Sequence, residues 1–274
     1  MLGKLLKYEY RALSRTLLPL FLGVLLVGFA GGSIFNLQTQ LQSRLPDMIG
    51  VMGAFSTMLG GLALVIAGFV GIFVVLSRFY TNFFTDEGYL THTLPVRPST
   101  QLLAKVISGG LWVLTDLVVC FGALFLFILI GSAGPNEFFS VEILKAIPNL
   151  LRGAVEQWAI VLQGGVYLVV WLIALILMFY LAVTFGCIIA KKHKVVASFG
   201  FYIAIYMVTN TISSILTLPL FLLFPSLLDS ATMASNPMLL LHLTFGLTSV
   251  MYAGIAIVSF FICKHMITKK LNLE

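Results

Sequence analysis

The sequence predicts an all-α integral membrane protein of six transmembrane helices, and three observations predict it. Only 9% of the 274 residues are charged, against 60% hydrophobic, whereas soluble domains carry roughly 25% charged residues. Several apolar runs exceed the roughly 18 residues that cross a bilayer core of about 30 Å. The Lys and Arg residues gather in alternate connections, the pattern that orients a multi-span chain. A soluble fold with so few charges would lack the polar surface to stay dispersed.

Residues 1–16 read as an amphipathic interfacial helix rather than a signal peptide. Lys4, Lys7, Arg11 and Arg15 recur every three or four residues on one face, with Leu2, Leu5, Leu6, Tyr10 and Leu13 opposite. No small-residue cleavage site follows. The first span covers 17–35, with Pro19 tolerated in its first turn, and the polar stretch Asn36 to Asp47 makes an outer loop. The second span covers 55–77. Its stripe of Ala63, Ala67 and Gly71, like Gly28 and Gly32 in the first span, suits close helix packing.

Residues 78–100 form the longest polar connection on the inner side, and the third span covers 102–130. The mixed segment 131–163 holds apolar positions Phe138, Phe139, Ile143, Leu144 and Ile147, which predict a short helix on the outer surface. The fourth span, 164–190, is followed by the tight loop Lys191-Lys192-His193-Lys194, and the fifth covers 195–218. The stretch 219–237 stays apolar but is broken by Pro219, Pro225 and Pro237, with Asp229 inside. It is too short to cross twice as complete helices and reads as an outer re-entrant segment. The sixth span, 238–263, leads into a basic tail.

Thirteen Lys and Arg residues fall on the side of the termini and three (Arg44, Lys145, Arg152) on the other. By the positive-inside rule both termini are cytoplasmic, as an even number of spans requires. The net charge of +6 thus orients the chain at the membrane, and nucleic acid is not an expected partner. Cys120, Cys187 and Cys263 are an odd set without CxxC spacing, which favours packing over a disulfide or zinc site. His92, His193, His242 and His265 are scattered, with no metal-ligand spacing.

No GxxxxGK[ST], HExxH or GxSxG run is present, so the chain is not expected to be an enzyme or to carry its own ATPase site. Within the spans Asp116 is the one acid near mid-membrane depth, at a cost of a few kcal/mol unless it is paired or meets water. Asp116 and Asn210 are the candidate intramembrane polar or pathway residues. Asp116 stands equally open to a purely structural role, hydrogen-bonded to neighbouring helices.

The inner connection combines Phe79, Tyr80, Phe83, Phe84 and Tyr89 with the acidic pair Asp86 and Glu87, punctuated by Gly88, Leu94-Pro95 and Arg97-Pro98. Exposed rings beside charge are what a protein-binding surface uses; rings at headgroup level are the plainer reading. The stretch Asp86-Glu-Gly-Tyr-Leu-Thr-His-Thr-Leu-Pro95 resembles the inner loop of bacterial ABC-2-type ABC transporter permeases, which precedes a Lys like Lys105. The layout of a basic N-terminal helix, six spans and a broken apolar segment before the sixth resembles that family too.

The resemblance implies a multi-pass permease of the bacterial cytoplasmic (inner) membrane that works as a dimer with an identical or related chain. It implies that the 78–100 loop forms a coupling helix docked on a separate ATPase subunit, with Phe83, Phe84, Asp86, Glu87, Tyr89 and Leu94 as candidate contacts. ATP and Mg would be bound by that partner, with no cofactor in this chain. The cargo it suggests is a peptide, antibiotic-like or lipid-like amphiphile moved by an exporter. Two other classes compete: an ion-coupled secondary carrier using Asp116, and a non-transport membrane sensor or scaffold subunit.

Overall fold

The computed structural model describes residues 2–42, 46–85, 88, 96–134, 137–190, 192–223 and 237–269. Among the described residues the chain is all helical: α1 (Leu2–Gln42), α2 (Pro46–Phe84), α3 (Pro98–Gly131), α4 (Val141–Glu156), α5 (Trp158–Ile189), α6 (Lys194–Leu223) and α7 (Pro237–Lys269). Six of these, all but α4, are long and apolar enough to cross a membrane. Leu22, Leu26, Phe69, Phe73, Phe121 and Val250 stand exposed along them. An exposed apolar surface on this scale is stable against lipid and not against water. The chain is a multi-span helical membrane protein.

The helices are longer than the expected spans. At a rise of about 1.5 Å per residue, α1 and α2 are each about 60 Å long, roughly twice the hydrocarbon core. The separate interfacial helix expected over 1–16 is instead the start of α1, continuous through Pro19. Along it Lys4, Lys7, Arg11 and Arg15 are exposed and Leu13 is buried, while Tyr10, expected on the apolar face, is 47% exposed. The outer loop expected at Asn36 is likewise helical as far as Gln42. There the Asn36 amide Nδ2 donates to Ile130 O at 3.0 Å and Ala133 O at 2.7 Å. Ile130 lies in the last turn of α3, where its carbonyl also accepts from Ala133 N at 3.2 Å, and Ala133 follows the helix. Gln40 Nε2 then donates to Asn36 Oδ1 at 2.6 Å, which holds the last turns of α1 in helix.

The fifth span also runs further than expected, through Pro219 to Leu223. The rest of the expected re-entrant segment, 224–236, lies outside the described residues. The short helix expected before the fourth span is α4, with Glu142, Lys145, Asn149, Arg152 and Glu156 along one face. None of its residues is buried, and Ile143 and Ile147 are half-buried. The rest of its apolar face is left to the surroundings.

The chain folds as two compact units, Met1–Leu6 with Arg78–Gly110 and Gln157–Glu274, and Lys7–Ser77 with Leu111–Glu156. In the second unit α1 and α3 approach at glycines: a Cβ on Gly32 would sit 2.8 Å from Phe127 O. The expected small-residue packing is thus a close backbone approach that only Gly permits. Ala67 packs against the cluster of Val24, Leu64 and Ala123. In the first unit α5 packs along α6 and α7. Gln163 and His242 pin the start of α5 to α7 by a two-point clamp, Gln163 Nε2 to His242 O at 2.7 Å and His242 Nδ1 with Gln163 Oε1 at 2.5 Å.

Candidate functional site

Three places gather polar groups inside the spans. The first lies in the first unit, where the inner connection leaves α2 and enters α3. Phe79 and Phe83 are one turn apart on α2, a spacing that puts both rings on one face. Phe79 stacks on Tyr180 of α5 at 3.9 Å with planes 9° apart, and the Phe83 ring lies tilted against it at 5.1 Å. The Lys105 ammonium sits 5.4 Å from the Phe83 ring centroid, within cation–π range. Tyr180 Oη donates to the Lys105 carbonyl at 3.3 Å. Asn82, Gln101, Lys105 and Ser108 are buried here with the rings.

The connection itself is tied at both ends. Gly88 N donates to Thr85 O at 2.7 Å, and a Cβ on Gly88 would stand 2.7 Å from Phe83 O. The chain therefore turns back against the last turn of α2, where a side chain does not fit. At the far end Thr100 N and Gln101 N both donate to Arg97 O, and Pro98 takes the first helical position, where a missing N–H costs nothing.

Among the residues expected on this surface, Phe83 is fully enclosed and Phe79 is 1% exposed. The expectation that both rings face the cytoplasm is corrected. Stacking on Tyr180 and contact with the Lys105 cation hold them inside, since rings at i and i+4 gain more from one another than from water. Tyr80 and Phe84 are half-buried. Asp86, Glu87, Tyr89 and Leu94 lie outside the described residues. Tyr180 carries no local signal, being one aromatic in an apolar span, and Lys105 stands out only as an orienting charge and by the resemblance.

The second place is Asp116 on α3, in the second unit. It is 4% exposed. Its carboxyl lies against Gly71 of α2, where a Cβ would come within 2.5 to 2.6 Å of the Cγ and both oxygens. Asp116 Oδ1 and Trp112 Nε1, one turn earlier, are buried without a hydrogen-bond partner. The Trp112 ring stacks on Tyr10 at 4.6 Å. Among the described residues no group of three or more His, Cys, Asp or Glu side chains could hold a metal ion.

The third place holds Asn210. It lines a cavity of about 230 Å³ in the first unit, walled by Trp171, Leu175 and Met178 of α5, Tyr202, Tyr206, Thr209, Asn210 and Ser213 of α6, and Tyr252 and Ile255 of α7. Trp171, Thr209 and Tyr252 each fall near the middle of their helix, so the cavity lies near mid-membrane depth. Phe179 stacks on Tyr202 at 4.0 Å with planes 5° apart, and Tyr206 follows at 6.3 Å. Sequence reasoning picked out the amide but not the ring set, whose members are ordinary apolar-span residues until three helices bring them together. No protein-family model, curated protein or solved structure matches the chain.

Proposed function

We propose that the chain is the membrane-spanning permease subunit of an ATP-driven exporter of the ABC-2 type, energised by a separate ATPase subunit docked on the 78–100 loop. What carries the reading is the anchoring of that loop. Its base, Phe79 and Phe83, is buried against Tyr180 and Lys105, so a push on the loop reaches α2, α3 and α5 together. A loose linker would absorb the movement. The resemblance of residues 86–95 to the family's inner loop supports the same reading.

In this mechanism the outer part of the loop touches the partner and the enclosed rings transmit. Asp86, Glu87, Tyr89, Leu94 and the half-buried Phe84 supply the contact, and Phe83 positions them. ATP binding by the partner must favour one of two states of the docked surface, or it cannot shift the permease. Both termini are cytoplasmic, and the membrane is the bacterial inner membrane. A second permease chain completes the assembly. The cargo is an amphiphile of peptide, antibiotic or lipid type.

The test is purification of the tagged chain in mild detergent, with bound proteins assayed for ATPase activity. A stoichiometric ATPase is expected, and Asp86→Lys with Glu87→Lys is expected to release it while membrane insertion stays normal. Unchanged binding and ATPase stimulation in that variant would remove the coupling surface. A second reading, an ion-coupled carrier, has the buried Asp116 with its unpartnered oxygen in its favour. It requires transport that stops when the ion gradient is collapsed, persists without ATP, and is lost in Asp116→Asn.

A further inference from the structure

We propose that the mid-membrane cavity of the first unit is a binding site for a quaternary ammonium head. The proposal deepens the export reading, since only that reading makes the bound molecule cargo; the binding itself stands apart from it. Four of the ten lining residues are aromatic, Trp171, Tyr202, Tyr206 and Tyr252, drawn from three helices. The others supply hydroxyls, one amide and apolar carbon, and among the described residues no charged side chain lines the space.

That chemistry selects among possible heads. A phosphate or carboxylate would leave its hydration for a site with no cation. A primary ammonium would lose strong hydrogen bonds to water for a site with no acid. A quaternary ammonium is weakly hydrated and has no N–H to satisfy. It gains from the negative ring faces, and aromatic cages are the usual device for recognising it.

The geometry suits such a group. An apolar cavity of about 150 Å³ holds a benzene molecule, so the volume of about 230 Å³ here takes a trimethylammonium head with the first carbons of a chain. Phe179 fixes the plane of Tyr202 by stacking on it, which sets that panel before any ligand arrives. Tyr206 is 51% exposed and Asn210 is exposed too, so the cavity opens beside α6. A head can enter from that side while its tail stays in apolar surroundings. Nothing in the chemistry distinguishes the choline head of a lipid from a free alkylammonium compound.

The experiment uses the full chain in nanodiscs of phosphatidylglycerol, which carry no choline, with empty discs as background. Hexyltrimethylammonium and hexyl sulfate are titrated by calorimetry. Saturable binding of hexyltrimethylammonium, and none of hexyl sulfate, is expected. Tyr206→Leu and Tyr252→Leu should each weaken it about tenfold, while Tyr206→Phe and Tyr252→Phe, which keep the ring face, stay within about twofold. Competition by phosphatidylcholine added to the discs would identify the lipid head as a source, and no competition would point to a free cation; the site stands in both cases. No saturable binding, equal binding of hexyl sulfate, or the same loss in Phe as in Leu variants would overturn it. Failure here with an ATPase still co-purifying would leave the permease reading intact, and binding without any ATPase partner would do the reverse.

Discussion

The Asp116 carboxyl fills the space that a side chain on Gly71 would occupy, with a Cβ there only 2.5 Å from its Cγ. The glycine of α2 is thus the complement of the acid on α3. Gly71→Ala should lower stability by about 1–3 kcal/mol through overpacking, seen as a lower thermal midpoint of the detergent-purified chain. Combining it with Asp116→Ala should recover much of that loss, because the new methyl then enters the vacated space. Additive losses would mean that the two residues do not share it.

The ring nest at the base of the inner loop makes a different kind of prediction. Tyr180→Phe keeps the stack on Phe79 and loses one hydrogen bond, so it should cost about 1 kcal/mol. Tyr180→Ala removes the stack and should cost about 3–5 kcal/mol. If the nest transmits movement, Tyr180→Phe should leave ATPase binding and stimulation unchanged. Phe83→Leu should retain binding and reduce stimulation, since its ring is enclosed. Loss of binding in Phe83→Leu would return that residue to the docking surface.

Asn36 ties the end of α1 to carbonyls at the end of α3. Asn36→Leu leaves the part-buried Ala133 carbonyl without this donor, while Ile130 O keeps Ala133 N, and should destabilise the chain by about 1–3 kcal/mol. Faster proteolysis near residues 36–42 should accompany the lower midpoint. Asn36→Asp, which removes the donating amide but keeps the size, should cost at least as much.

Orientation can be checked without any partner. In a cysteine-free background, single cysteines at Lys4 and Lys192 should react with a membrane-impermeant maleimide only after the cells are opened. A cysteine at Arg152 should react in intact cells. Labelling of Lys192→Cys from outside would invert the topology and remove the inner loop from the cytoplasm.

Class and span count were legible in the sequence because they depend on sums over many residues. A run of about twenty apolar residues is a span wherever its neighbours lie. The glycines at 32 and 71 were legible as packing positions because nothing else explains a side-chain-free stripe in a helix. What they pack against was not: that Gly71 faces an acid, and Gly32 a carbonyl of α3, depends on which helices meet.

The helix ends and the polar sites were decided by tertiary structure alone. Asn36 reads as loop on its own and is helical where its amide meets the chain at the end of α3. Phe83 reads as surface because it follows a span and precedes charges, yet it is enclosed beside Phe79 with the Lys105 cation of α3 over its ring. The cavity rings of Trp171, Tyr206 and Tyr252 carry no local signal, since one aromatic in an apolar span looks like any other. The sequence by itself determined what lipid selects, because hydrophobicity is a property each segment carries alone. The structure decided what neighbours select, because hydrogen bonds, ring stacks and cavities exist only between segments.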